Sequence, residues 1–390
     1  MRNSGQAERE VPFSPEYSMG DLYVRDWNIS GAYEAWWLHF VYWEKFGNGI
    51  DRVVVPANQQ LGLHLKGSGR KNIDLLRFLD KSAIQGICGY SGQLDPIKHF
   101  STLRRLSIEG GRQTTDSDLN DLSSLIDLEL ISLFSGCDID TGFECLKDLS
   151  RLEVLGIGSW GKPVIISDQA VEAIANTKSI KRLALMKVKN ISDDAVVRLA
   201  QLESLEELNL VDVDLSAKGA ESLKDLPLLE LALSGNEITD DKLLLFAEGR
   251  RKLRKTLKVL RIISPNVTDA GIGAIFDSIP MDGVESCVLS LPNCTGRIVN
   301  RIEEMVGLKR LYLDQLPLSK EHLVAISRLN KLERFRSIGG SITDEGLACL
   351  GGCRNLRRLH LRDNLVSAEA VQSIKNVLPK CKVQHDVSDS

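Results

Sequence analysis

One pattern, L-x-x-L-x-L, returns along most of the chain and limits what it can fold into more than any other feature. It reads LRRLSI from Leu103, LIDLEL from Leu125, LEVLGI from Leu152, IKRLAL from Ile180, LEELNL from Leu205 and LLELAL from Leu228. It continues as LKVLRI from Leu257, VESCVL from Val284, LKRLYL from Leu308, LERFRS from Leu332 and LRRLHL from Leu356. Successive starts lie 22 to 29 residues apart. A period of that size marks one supersecondary unit stacked many times, not a string of unrelated domains.

A second signature falls between these apolar strands. It reads ISDQAVEAI, ISDDAVVRL, LSAKGAESL, ITDDKLLLF, VTDAGIGAI, LSKEHLVAI, ITDEGLACL and VSAEAVQSI. Ser or Thr in second place can cap a helix by accepting from a free backbone N–H. Asp in the first turn complements the positive helix end. The apolar residues that follow keep helical spacing. Each unit therefore reads as strand, loop, capped helix, loop. No unit can bury its apolar stripe alone, so stacking must align the strands in a parallel sheet and the helices in an outer layer.

These residues resemble the leucine-rich-repeat superfamily, and the ITDEGL-type helices are most similar to its cysteine-containing and ribonuclease-inhibitor-like subclasses, as in F-box-type and bacterial repeat proteins. The resemblance implies an α/β fold: a curved solenoid, or horseshoe, with a parallel concave sheet and convex helices. The asparagine expected after the strand is present at Asn236 and Asn364 but replaced elsewhere. Ser337 stands in a core position of LERFRS, which predicts a local irregularity there.

The ends differ from the middle. Residues 1–20 are polar and without period, and read as a disordered tail. Residues 21–100 read as an aromatic N-terminal cap followed by degenerate repeats. Tyr33, Trp36, Trp37, Phe40 and Trp43 follow helical spacing and would cover an open core edge. IDRVVV from Ile50 has strand character, and IQGICG from Ile84 reads as a degenerate repeat strand. The array proper spans 101–383, closed by the half-unit LPKCKV, and 384–390 is a tail.

Chemistry is sparse. LGIGSWGKP (155–163) has the glycine spacing of a dinucleotide loop, but Pro163 and VII follow where that loop needs a helix to begin. Gly156 and Gly158 instead belong to a repeat strand. The six histidines are scattered, and no nucleophile–base set stands out. The eight cysteines form no C-x-x-C pair, which predicts reduced, mostly buried thiols. No enzyme activity, cofactor or metal is expected. The net charge of −4 and the scarcity of interleaved aromatics argue against nucleic acid. No secretion signal or 18-residue apolar run is visible, so a cytoplasmic protein without a membrane span is expected.

The repeat register allows one sharper expectation. Positions alternating with the core leucines face the concave wall. In LRRLSIE these are Arg105, Ser107 and Glu109, and in the middle units mostly small or apolar residues. In the last three they become Arg310, Tyr312 and Asp314, then Arg334, Arg336 and Ile338, then Arg358, His360 and Arg362. Crowded arginines repel one another unless a partner or nearby carboxylates neutralise them. Arginine pairs well with carboxylates and, with Tyr, is a typical interface anchor. Arg310, Tyr312, Arg334, Arg336, Arg358, His360 and Arg362 are thus the expected partner-binding residues. The expected function is non-catalytic protein–protein recognition of an acidic segment. The alternatives are a substrate-recognition subunit of a ubiquitin-ligase-like complex, docked through the aromatic helix, and a GTPase-activating-type repeat protein.

Overall fold

The computed structural model describes residues 9–12, 21–26, 44–48, 52–55, 59–65, 74–91, 94–109, 114–134, 138–159, 161–253 and 257–385. The chain divides into two compact units, Met1–Leu205 and Glu206–Ser390.

In the first unit the strands Gln59–His64, Gly86–Tyr90, Arg105–Glu109, Leu130–Phe134, Val154–Gly158 and Arg182–Met186 pair in parallel, each with the next. The strand in IQGICG is therefore a true repeat strand, five residues long like its neighbours. LGLHL (61–65), which escaped the repeat pattern, supplies the first parallel strand. Asp21–Asp26 pairs antiparallel with Gln59–His64, and Glu44–Asn48 antiparallel with Asp21–Asp26. The aromatic stripe Tyr33–Trp43 lies outside the described residues. The expected disordered tail contains one described strand, Arg9–Pro12, paired antiparallel with Arg52–Val55. Alternation explains it: Val11 and Val55 are buried while Glu10 and Val54 stay exposed.

The repeat at LIDLEL is shifted from its expected frame. The strand is Leu130–Phe134, and Leu106 pairs with Ile131 and Ile108 with Leu133. The unit thus starts at Leu128, three residues later. Leu125 precedes Leu128 as Leu149 precedes Leu152, with the later amide donating to the earlier carbonyl in each pair. This recurring upstream leucine made two frames available in the sequence.

The second unit aligns eight strands in parallel: Glu207–Val211, Glu230–Ser234, Val259–Ile263, Ser286–Ser290, Arg310–Asp314, Arg334–Ile338, Arg358–Arg362 and Lys382–His385. Their alternate leucines, such as Leu231, Leu233, Leu311 and Leu313, have no exposed area. Each buried leucine contributes roughly 1.5–3 kcal/mol. LERFRS is not irregular: Ser337 pairs in register with Leu313 and Leu361. The residue after a strand often turns left-handed, at Lys187, Asp212, Gly235, Gln315, Gly339 and Asp363. That single residue ends the strand and sends the chain outward. Asn364 carries the expected ladder, donating to the Ser337 and Arg362 carbonyls and accepting from the Ile342 amide. Asn236 is exposed, and its carbonyl accepts from Asn266.

The capped helices form where their sequences place them. Ser167, Ser192, Ser216, Thr268, Ser319, Thr343 and Ser367 each accept from an amide two or three residues on. The first-turn aspartates do more than complement a helix end. Asp168 accepts from the backbone N–H of Ser192 at 2.9 Å and its hydroxyl at 2.5 Å. Asp240 does the same for Thr268, Asp269 for Thr295 and Asp344 for Ser367. Ser192, Thr268 and Ser367 are themselves helix caps, so in those three cases one helix start is tied to the cap of the next repeat. Arg250 is a buried charge in the second unit, held by the Leu226 and Leu228 carbonyls, and burial lowers its pKa to about 10.

Candidate functional site

The helices cover one face of the second unit's sheet, and the side chains between the core leucines occupy the other, open face. In-register pairing puts Arg310 opposite Arg334, and Arg334 opposite Arg358. It also puts Tyr312 opposite Arg336, Arg336 opposite His360, and Ile338 opposite Arg362. Neighbouring strands are ~4.8 Å apart, so residues 24 positions apart become side-by-side neighbours. The final strand lengthens both columns, Lys382 beside Arg358 and Gln384 beside His360. The strand of the closing half-unit LPKCKV thus adds a further cation, Lys382, to the arginine column.

A depression of about 310 Å³ lies over these columns, lined by Tyr312, Arg334, Arg336, Arg358, His360 and Lys382 among others. Of the expected site residues, five line it together. Arg310 heads the arginine column beside Arg334, and Arg362 stands beside Ile338 at the neighbouring edge.

The arginines are not equivalent. Arg336 grips Asp314 with two nitrogens, its Nε at 3.2 Å, and its guanidinium carbon sits 4.7 Å from the centre of the Tyr312 ring. Its side chain is 32% exposed and that of Asp314 only 13%, so this pair is drawn largely out of water. Arg336 therefore acts mainly as a brace, fixing Tyr312 with its charge already matched. Arg358 and Lys382 are exposed, and Arg334 half-buried.

The open face carries charge towards the start of this unit as well, where small and apolar residues are expected. Glu207 and Glu230 occupy the column that later carries the arginines, and Arg261 stands between Ala232 and Val288. Burial pulls the Arg261 guanidinium below its usual pKa, with Glu230 opposing that and Arg336 adding to it. The signal was present: Glu207, Glu230 and Arg261 alternate with core leucines as the later arginines do. The face thus runs from acidic to basic across eight strands.

In the first unit, Gly156 and Gly158 lie within the strand Val154–Gly158, and the next helix begins at Asp168 behind its Ser167 cap. A Cβ on Gly158 would come within 2.7 Å of the Met186 Cβ. The glycine therefore permits close strand packing, and among the described residues no helix begins within these glycines as a phosphate loop requires. Six of the seven described cysteines are buried, Cys349 being partly exposed. Among the described residues, no helix is long and apolar enough to cross a membrane.

No protein-family model matches the chain, and no curated protein matches it. Solved structures do. An internalin from Listeria monocytogenes is similar at 18% identity and a TM-score of 0.46, over 80% of this chain and 88% of that one. A leucine-rich-repeat protein of Leptospira interrogans is similar at 17% identity and a TM-score of 0.36, over 82% and 99%. The yeast Rad7 and Elc1 complex is similar at 15% identity and a TM-score of 0.45, over 71% and 82%. This chain's own repeat and in-register parallel strands make it an α/β leucine-rich-repeat solenoid.

Proposed function

We propose that this chain is a non-catalytic recognition scaffold whose C-terminal sheet face docks an acidic segment of a partner protein. One observation carries the reading. Arg310, Arg334, Arg358 and Lys382 stand in register on four consecutive strands, beside a depression floored by a braced tyrosine. A row of cations at strand spacing is complementary in charge and spacing to an extended chain of carboxylates. Arginine offers such a chain a bidentate fork, and a fixed aromatic offers area at low entropic cost. The ubiquitin-ligase and GTPase-activating alternatives gain no support from this geometry. The first would depend on the aromatic segment, which lies outside the described residues.

The test reverses two charges that do not take part in the Asp314 brace, Arg334→Glu with Arg358→Glu. Partners are captured on the purified chain and quantified by mass spectrometry. The expected result is loss of one or more partners with acidic stretches, and binding of the recovered acidic peptide that weakens with added salt. Identical capture by both proteins would remove the proposal.

A further inference from the structure

We propose that His64, Cys88 and Glu109 form a binding site for a divalent ion of the zinc class, on the open face of the first unit. They are the one group of three or more His, Cys, Asp or Glu residues among those described whose ligand atoms converge, all lying within 4.8 Å of one another. They come from three consecutive strands, Gln59–His64, Gly86–Tyr90 and Arg105–Glu109. His64 and Cys88 are direct partners across the first pair.

A defect in the second pair delivers the third ligand. Register shifts between Ile87 and Tyr90, where Gly89 takes φ 71°. Such a bulge is a device for re-aiming a side chain. Here the Cys88 thiol donates to the Glu109 carboxylate with Sγ and Oε1 3.4 Å apart. Around tetrahedral zinc, sulfur and oxygen ligands stand ~3.6 Å apart, given metal–ligand lengths of about 2.3 and 2.1 Å. That edge of the tetrahedron is therefore nearly formed, and modest side-chain rotation closes the rest. Ser107 donates to the same Glu109 oxygen at 3.3 Å, an outer partner of the kind that orients a metal-bound carboxylate.

The donor set selects the ion. A thiolate disfavours magnesium and calcium, whereas imidazole, thiolate and carboxylate together suit zinc. Cys88 is only 4% exposed, while His64 and Glu109 are half-buried, so an ion would enter past those two. Three protein ligands leave a fourth position for water or a group brought by a partner. The site lies in the opposite unit from the arginine columns, and its failure would leave that proposal standing.

The test uses the full chain stripped with a chelator. Zinc is titrated against a chromophoric competitor, and cobalt(II) is added in parallel. The expected result is one ion per chain, with cobalt giving a thiolate-to-metal charge-transfer band and intense tetrahedral visible bands. Cys88→Ser should abolish the charge-transfer band, and His64→Gln should weaken zinc binding at least ~10-fold with an unchanged circular dichroism spectrum. If Cys88→Ser does not fold, His64→Gln decides alone. No stoichiometric zinc binding by the wild-type chain, or binding that both variants leave untouched, would overturn the site.

Discussion

Ser337 shows how one residue is accommodated by its surroundings. It holds a core position between Leu313 and Leu361 with no exposed area, and among the described residues its hydroxyl has no hydrogen-bond partner. Gly340 makes the room, since a Cβ there would lie 2.2 Å from the Ser337 oxygen. The strand stays in register because the small side chain and the missing Cβ fit one another. A buried hydroxyl without a partner costs about 1–3 kcal/mol. Ser337→Ala is therefore expected to raise the stability by about 1 kcal/mol after allowing for the lost contacts, seen as a higher denaturant midpoint with an unchanged slope. A lower midpoint would show that the hydroxyl is satisfied in solution. The sequence located this core serine but missed its remedy, because Gly340 lies beyond the pattern that defines the strand.

At the scale of elements, repeats are joined by more than apolar burial. Asp344 accepts from the Ser367 backbone N–H and hydroxyl, both at 2.7 Å, linking the starts of two successive helices. Those two bonds hold its carboxyl below the ordinary value of 3.8. A carboxylate favoured in the folded state stabilises above its unfolded pKa, and the contribution is lost as pH falls through the folded value. Asp344→Ala should cost at most about 1 kcal/mol at neutral pH, since solvent screens this exposed carboxylate, and its gap to wild type should close as the pH falls below about 4. Equal gaps at neutral and strongly acid pH, measured by denaturant melts, would contradict the tie. The repeated signatures marked Asp168, Asp240, Asp269 and Asp344 but read each locally, against its own helix dipole, while Asp116, which binds the Thr141 amide and hydroxyl in the same way, lies outside those signatures. The partner of Asp344 lies 23 residues away, and only the stacked structure brings the two together.

For the whole molecule, what was legible follows from periodicity. Leucine spacing placed the strands of the array, and Ser or Thr before Asp placed the helix starts, because both signals repeat with local chemistry attached. The Leu128 frame was hidden by an extra leucine at Leu125, which satisfies the same pattern three residues early. The first parallel strand at Gln59–His64 escaped because LGLHL lacks the upstream half of the motif. The His64, Cys88 and Glu109 cluster escaped with it, since it needs that strand and a bulge no spacing rule contains. The arginine columns were legible because every strand between Arg310 and Arg362 keeps strict register. All of the functional reading depends on positions distant in sequence sharing one sheet face. Spin labels at Arg310→Cys and Arg358→Cys, corrected with the single variants, measure that directly. Two strand steps put the backbones ~10 Å apart, so strong dipolar broadening is the expected result, and a labelled separation beyond about 30 Å would contradict the account.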